Sequence, residues 1–196
     1  LAIWSNPGET GGGKETNGVD DDLNGYIDDY QGWDFGDNDN DPSPGAGDNH
    51  GTAVAGVAGA IGDNGVGVAG SALGASILPI RWGTTCTELG DAMRYAGKYG
   101  HVVNNSWGIS ACESELDSAV SDVVNGSVPG AVRGALGTPV LFATGNAASG
   151  WQKFTLSGFP AGSFDFEWRF DKDVSVDQGY DTVWLDDITW PGGAVD

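Results

Sequence analysis

Asp48-Asn49-His50-Gly51-Thr52-Ala53-Val54-Ala55-Gly56-Val57-Ala58-Gly59-Ala60 is the stretch on which the reading of this chain turns. One histidine opens a run made almost wholly of Gly, Ala and Val. Asp48 or Asn49 is placed to cap a helix N-terminus, with Thr52 in the first turn. Glycine inside a helix costs about 0.5–1 kcal/mol against alanine, so Gly51, Gly56 and Gly59 would make a poor surface helix. They suit a buried one, close to which another backbone passes. Such a helix holds an imidazole rigidly at its exposed mouth. Most lone histidines merely cap a helix or sit satisfied in a core, so His50 gains a chemical role only from the string around it.

Working outward, the 196 residues allow one medium domain or two small ones. The net charge of −20 argues against nucleic acid or an anionic membrane as partner, and favours a solvated surface, bound cations or a salty environment. No apolar run approaches the roughly 20 residues of a membrane span. No signal-peptide pattern is present, and Leu1 reads as a processed or cut end. Cys86 and Cys112 lack metal-type or redox-type spacing. They fit either one disulfide in an exported protein or two unrelated thiols, and the disulfide is preferred.

Residues 1–48 hold twelve of the 28 acidic residues and a single base, Lys14, with little apolar periodicity. Within them Asp20-Asp21-Asp22-Leu23-Asn24-Gly25-Tyr26-Ile27-Asp28 reads D-x-D-x-N-G-x-x-D. This resembles the first nine positions of an EF-hand calcium loop, in which oxygens at alternate positions wrap a hard cation and a glycine makes the sharp turn. By that register Asp20, Asp22 and Asn24 donate side-chain oxygens, Tyr26 its carbonyl, and Asp28 binds directly or through water. The bidentate glutamate of position twelve is Gln31 here, so a full helix-loop-helix is not expected. Asp37 to Asp41 reads as a solvated turn in preference to a second site.

After the histidine helix, Ala75–Arg81 reads as a buried strand, and Glu88–Tyr99 as a helix with Leu89, Ala92, Met93 and Ala96 on one face. Val102–Gly108 is a second strand. Glu113–Val124 is a helix with Leu116, Ala119, Val120 and Val123 inward, and Pro139–Asn146 a third strand. Strands alternating with helices at this spacing imply βαβ units and a parallel sheet. Functional groups then belong at the carboxyl edge, where Ser106-Trp107-Gly108 and Asn146 fall.

His-Gly-Thr-x-Val-Ala-Gly at His50–Gly56, followed by Asn64-Gly65-Val66-Gly67-Val68-Ala69-Gly70, resembles the histidine segment of the subtilisin-like serine proteases, the subtilases. The Asn-Pro-Gly-Glu string at residue 6 and the acidic run ending in Gly-Trp-Asp-Phe look like an insertion found in some of them, which strengthens the expectation of calcium. The resemblance implies a partial subtilisin-like α/β fold, a parallel sheet with flanking helices, over residues 1–148. It implies His50 as general base and then acid, and Ser106, Trp107 and Gly108 as the edge that pairs with a polypeptide substrate. It implies Asn146 as the donor to the oxyanion, where one pre-placed N–H is worth about 2.7–4 kcal/mol in rate. The orienting aspartate, in an Asp-Thr/Ser-Gly context, and the nucleophile, in Gly-Thr-Ser-x-Ala, have no match in the sequence. The chain as written is therefore expected to be inactive.

From Trp151 the pattern changes to period-2 alternation, with Phe154 and Leu156, then Phe164 to Phe170, then Val183 and Leu185. This reads as a short antiparallel segment with turns near Pro160 and Gly179. Residues 151–196 are similar to the tail of a β-sandwich accessory module of bacterial secreted proteins. The expectation is a secreted or cell-surface bacterial monomer. A peptide-binding pseudo-protease, or a calcium-dependent adhesion or carbohydrate-binding fragment, stand as alternatives to an endopeptidase.

Overall fold

The computed structural model describes residues 1–108 and 111–143, together with the backbone of three later strands, 152–159, 162–170 and 183–186. Two compact units divide the chain, Leu1–Ala96 and Gly97–Asp196.

The first unit contains β1 (Trp33–Asp34), α1 (His50–Gly59), β2 (Ile80–Arg81) and most of α2 (Cys86–Tyr99). β1 and β2 run parallel, with Trp33 opposite Ile80 and Asp34 opposite Arg81. The expected strand 75–81 shrinks to its last two residues because Pro79 has no N–H to give to a ladder. Ile77 still bridges to Ile3, its N–H donating to the Ala2 carbonyl. The segment is half-buried, not fully buried.

α2 forms where the 3.6-residue period placed it, with Leu89, Ala92, Met93 and Ala96 all buried. Tyr95 joins them and completes an aromatic cluster centred on Tyr26. The Tyr26 ring centroid lies 5.1 Å from Trp33, 5.3 Å from Phe35 and 5.2 Å from Tyr95. This cluster is the apolar floor beneath the acidic loop. Burial, with the charges of Asp91 and Asp29, pushes the Tyr26 phenol up to about 12 from 10. Its neutral form is thus favoured in the fold, so its contribution to stability is complete below pH 10 and lost as pH rises through 12. An alkaline titration followed at the tyrosinate absorbance should show the Tyr26 phenol ionising late, coincident with unfolding. In Tyr26→Phe that late step should vanish.

α1 differs from expectation. Only Gly59 is buried, and Val57 is 71% exposed. Asn49 occupies the N-cap position without a side-chain cap, and Asp48 does not cap the helix. Among the described residues the helix is packed along one side only. Ser71 N–H donates to the Val57 carbonyl, and Ala72 N–H to that of Ala58. The close backbone approach that the glycines suggested is made by Gly70, where an added Cβ would lie 2.4 Å from the Ala60 nitrogen. Gly51 and Gly56 face open space.

In the second unit β3 (Val103–Asn105) pairs in parallel with β4 (Val140–Phe142), Asn105 opposite Phe142. α3 (Glu113–Val124) connects toward them, with Ala119 and Val123 buried and Leu116 and Val120 half-buried. Farther along, β5 (Gln152–Phe159), β6 (Gly162–Phe170) and β7 (Val183–Asp186) form an antiparallel sheet in that order, with Phe154 opposite Phe166 and Trp168 opposite Leu185. The period-2 reading of the tail holds, with the turns themselves outside the described residues. Helices with short parallel pairs make this a mixed α/β chain, consistent with a partial subtilisin-like fold. Cys86 and Cys112 are both disulfide-bonded.

Candidate functional site

Three places draw the chemistry-bearing residues: the acidic loop, the carboxyl edge of β3 and β4, and the mouth of α1.

In the acidic loop the structure gathers Glu9, Asp22 and Asp29, whose carboxylate oxygens lie within 4.8 Å of one another. Glu9 and Asp29 are fully buried. Glu9 Oε1 accepts the backbone N–H groups of Asp21 (2.6 Å) and Asp22 (3.0 Å). Its Oε2 is buried with no hydrogen-bond partner, as is Trp33 Nε1. The Asn6 amide donates from Nδ2 to both Asp22 Oδ2 (3.1 Å) and Asp29 Oδ1 (2.9 Å), tying two of the three carboxylates together. Asn24 Nδ2 (2.9 Å) and the Tyr95 hydroxyl (2.6 Å) donate to Asp29 Oδ2. Burial pushes the Asp29 carboxyl up to about 6, against the pull of these three donors and with help from the Asp22 charge. Gly8 sits so close that a Cβ there would lie 2.4 Å from the Asp22 Cβ.

Of the three aspartates that the loop register nominates, Asp20, Asp22 and Asp28, Asp22 alone belongs to this group. Asp20 accepts the N–H groups of Asn24 and Gly25, and Asp28 that of Gly18 through both oxygens. Asn24 Oδ1 accepts from the Tyr26 N–H, so these side chains hold the turn. Glu9 and Asp29 were not singled out in the sequence. The signal available was the glutamate of Asn-Pro-Gly-Glu, set against the glutamine where a calcium loop would end in glutamate. Downstream, Asp34 and Asp37 both accept from Arg81 Nη1, at 2.6 Å for Asp37, so one internal cation is shared by two carboxylates of that turn.

At the carboxyl edge of β3 and β4 lies an open cleft of about 310 Å³. Trp107, Gly108, Phe142 and Ala143 form one wall, and Glu113, Leu116 and Asp117 of α3 the other. Trp107 packs edge-on against Phe142 at 5.7 Å. The Asn105 amide donates to the Leu141 carbonyl, and Ala143 N–H to that of Asn105, which locks the two strand ends together. Asn104 Nδ2 donates to the Ser106 hydroxyl. Ser106, Trp107 and Gly108 directly follow the last ladder residue of β3. Asn146 lies outside the described residues.

His50 is the first residue of α1 and is exposed. Among the described residues no carboxylate hydrogen-bonds its imidazole. It belongs to the first unit, and the cleft to the second.

A profile of the subtilase family matches residues 14–165, more than half of the chain. The chain belongs to the subtilase family. The subtilase match runs past Gly150 into β6. Among individual relatives, thermitase of Thermoactinomyces vulgaris is 41% identical over 136 residues, covering 66% of this chain and 43% of thermitase. A thermophilic serine proteinase of Bacillus sp. strain AK1 is 38% identical over 128 residues, 62% of this chain and 31% of that protein. A halolysin-like extracellular serine protease of Natrialba magadii is 38% identical over 92 residues, 44% and 17% of the two chains. This subtilase chain therefore spans less than half the length of these relatives. Among the described residues no helix is long and apolar enough to cross a membrane.

Proposed function

We propose that this chain carries part of a secreted, calcium-stabilised serine endopeptidase that acts on polypeptides, from a bacterial source and monomeric. Residues 1–148 are read as the partial catalytic domain and 151–196 as the tail of an accessory β-sandwich module. His50 serves as general base and then acid, and Asn146 donates to the developing oxyanion. Ser106, Trp107 and Gly108 align the substrate backbone as an added strand. Calcium occupies the acidic region before α1, where buried carboxylates supply the hard oxygen donors that such an ion takes.

The observation that carries the reading is the cleft at the carboxyl ends of a parallel strand pair, lined by Trp107 and Gly108 just past β3, within a subtilase-family chain. The same cleft supports a second reading, peptide binding without cleavage, because its walls do not depend on a nucleophile. A fluorescently labelled extended peptide should bind the intact chain, with Trp107→Ala weakening it by about tenfold or more, as for a central aromatic anchor. Fluorescence polarisation reads the affinity, and circular dichroism checks that the variant is folded. A peptide that binds wild type and a folded Trp107→Ala alike would remove this segment from the substrate edge.

A further inference from the structure

Two buried carboxylates beside a third repel one another unless something positive lies between them. No lysine or arginine ion-pairs with Glu9 or Asp29 among the described residues. Glu9 Oε2 is the sharper observation. It is fully buried and accepts no hydrogen bond, although its sister oxygen accepts two. Buried polar atoms nearly always have a partner, and one without usually marks an absent water or ion. Oxygens about 2.3–2.6 Å from a common calcium lie up to roughly 4.6–5.2 Å apart, and the three carboxylates are held within that span. The Asn6 amide, which bridges Asp22 and Asp29, fixes the acceptors without neutralising them.

We propose that Glu9, Asp22 and Asp29 form the cation site of the acidic region, with Glu9 replacing the glutamate that the loop lacks at its twelfth position. This rests on the reading that the region binds calcium, and it moves the ligand set away from the loop register. Asn6, Asn24 and Tyr95 are positioning residues that orient the carboxylates from behind. Asp20 and Asp28 shape the turn and do not touch the ion. A glutamate from upstream closes the site in place of one from downstream, so the ion pins residues 6–9 onto residues 22–29.

The test uses the full chain and Ca²⁺ itself, read by calorimetry and by thermal melting, with Tb³⁺ luminescence sensitised by the neighbouring aromatic rings as a second probe. Wild type should bind Ca²⁺ and melt higher with it than in EDTA. Glu9→Gln, nearly isosteric, should weaken Ca²⁺ by at least about tenfold, and Asp28→Asn by no more than about twofold. In EDTA, Glu9→Gln should melt at or above wild type, because the amide removes one buried charge and can donate to a neighbouring carboxylate. In Ca²⁺ it should melt below. Equal loss in both conditions would make Glu9 a structural residue and overturn the assignment. Loss of binding in Asp28→Asn with Glu9→Gln intact would return the ion to the loop register, sinking this ligand set while the calcium reading stands. Absence of Ca²⁺ binding in wild type would sink both.

Discussion

Incubated with an unfolded protein substrate, this chain is expected to release peptides no faster than buffer does, and a fluorophosphonate probe should leave every serine unlabelled. The reasoning is chemical. Hydrolysis of this type needs a hydroxyl nucleophile, a base in contact with it and a carboxylate that orients the base. The sequence contains no Gly-Thr-Ser-x-Ala segment, and no described carboxylate holds the His50 imidazole. Ser106 accepts a hydrogen bond from Asn104 at the cleft edge, which suits a binding segment and provides no base. Loss of the nucleophile from a triad enzyme costs on the order of 10⁶ in kcat, a magnitude measured in subtilisin itself. Mass-spectrometric mapping of probe adducts, beside a quantitative peptide-release assay, decides it. A single labelled serine whose labelling disappears in His50→Ala would show that an unrecognised nucleophile is present.

Gly32→Ala should destabilise the first unit by about 3 kcal/mol or more, among the largest effects of any single methyl added to this chain. Gly32 has φ +107°, a region that costs an L-residue dearly. A Cβ there would also stand 2.0 Å from the Pro79 carbonyl oxygen, backbone that cannot swing aside. Relief requires separating β1 from β2, because Gly32 directly precedes Trp33, the partner of Ile80. Asp34 and its bond to Arg81 would then lose their register. Urea unfolding followed by tryptophan fluorescence gives the number. Gly51→Ala is the control: it lies in α1, meets nothing within 4 Å, and should be neutral or stabilising by up to about 1 kcal/mol. A Gly32→Ala loss below about 1 kcal/mol would mean that the close approach is not a constraint.

What could be read in the sequence follows from how local each signal is. α2 and α3 were legible because a 3.6-residue apolar period needs no knowledge of the partner, and α3 begins and ends where the period does. Ala75 to Arg81 was less so, since Pro79 limits the ladder and strand burial depends on neighbours. The glycines of α1 were read as a buried face, yet the close approach belongs to Gly70, beyond the helix. The acidic loop was legible as a dense local run of carboxylates, and the grouping of Asp22 with Glu9 and Asp29 was not. Asp20, Asp22, Asn24 and Asp28 fit a local register, whereas Glu9 and Asp29 meet only through chain reversal. The Tyr26 ring was invisible for the same reason. Its partners Trp33, Phe35 and Tyr95 share no period with it.

The hydrogen bond from the Tyr95 hydroxyl to Asp29 spans 66 residues of sequence. On a ribosome adding about 5–20 residues per second, the acceptor is made roughly 3–13 s before its donor. During that interval the emerging acidic segment lacks the helix that packs against it through Tyr95, so its carboxylates stay hydrated and mutually repelled. Closure of the N-terminal segment is thus timed by synthesis of α2. A nascent chain stalled before residue 95 should remain open to protease around Asn6 and Glu9, which are buried in the folded chain, and one stalled well beyond it should not.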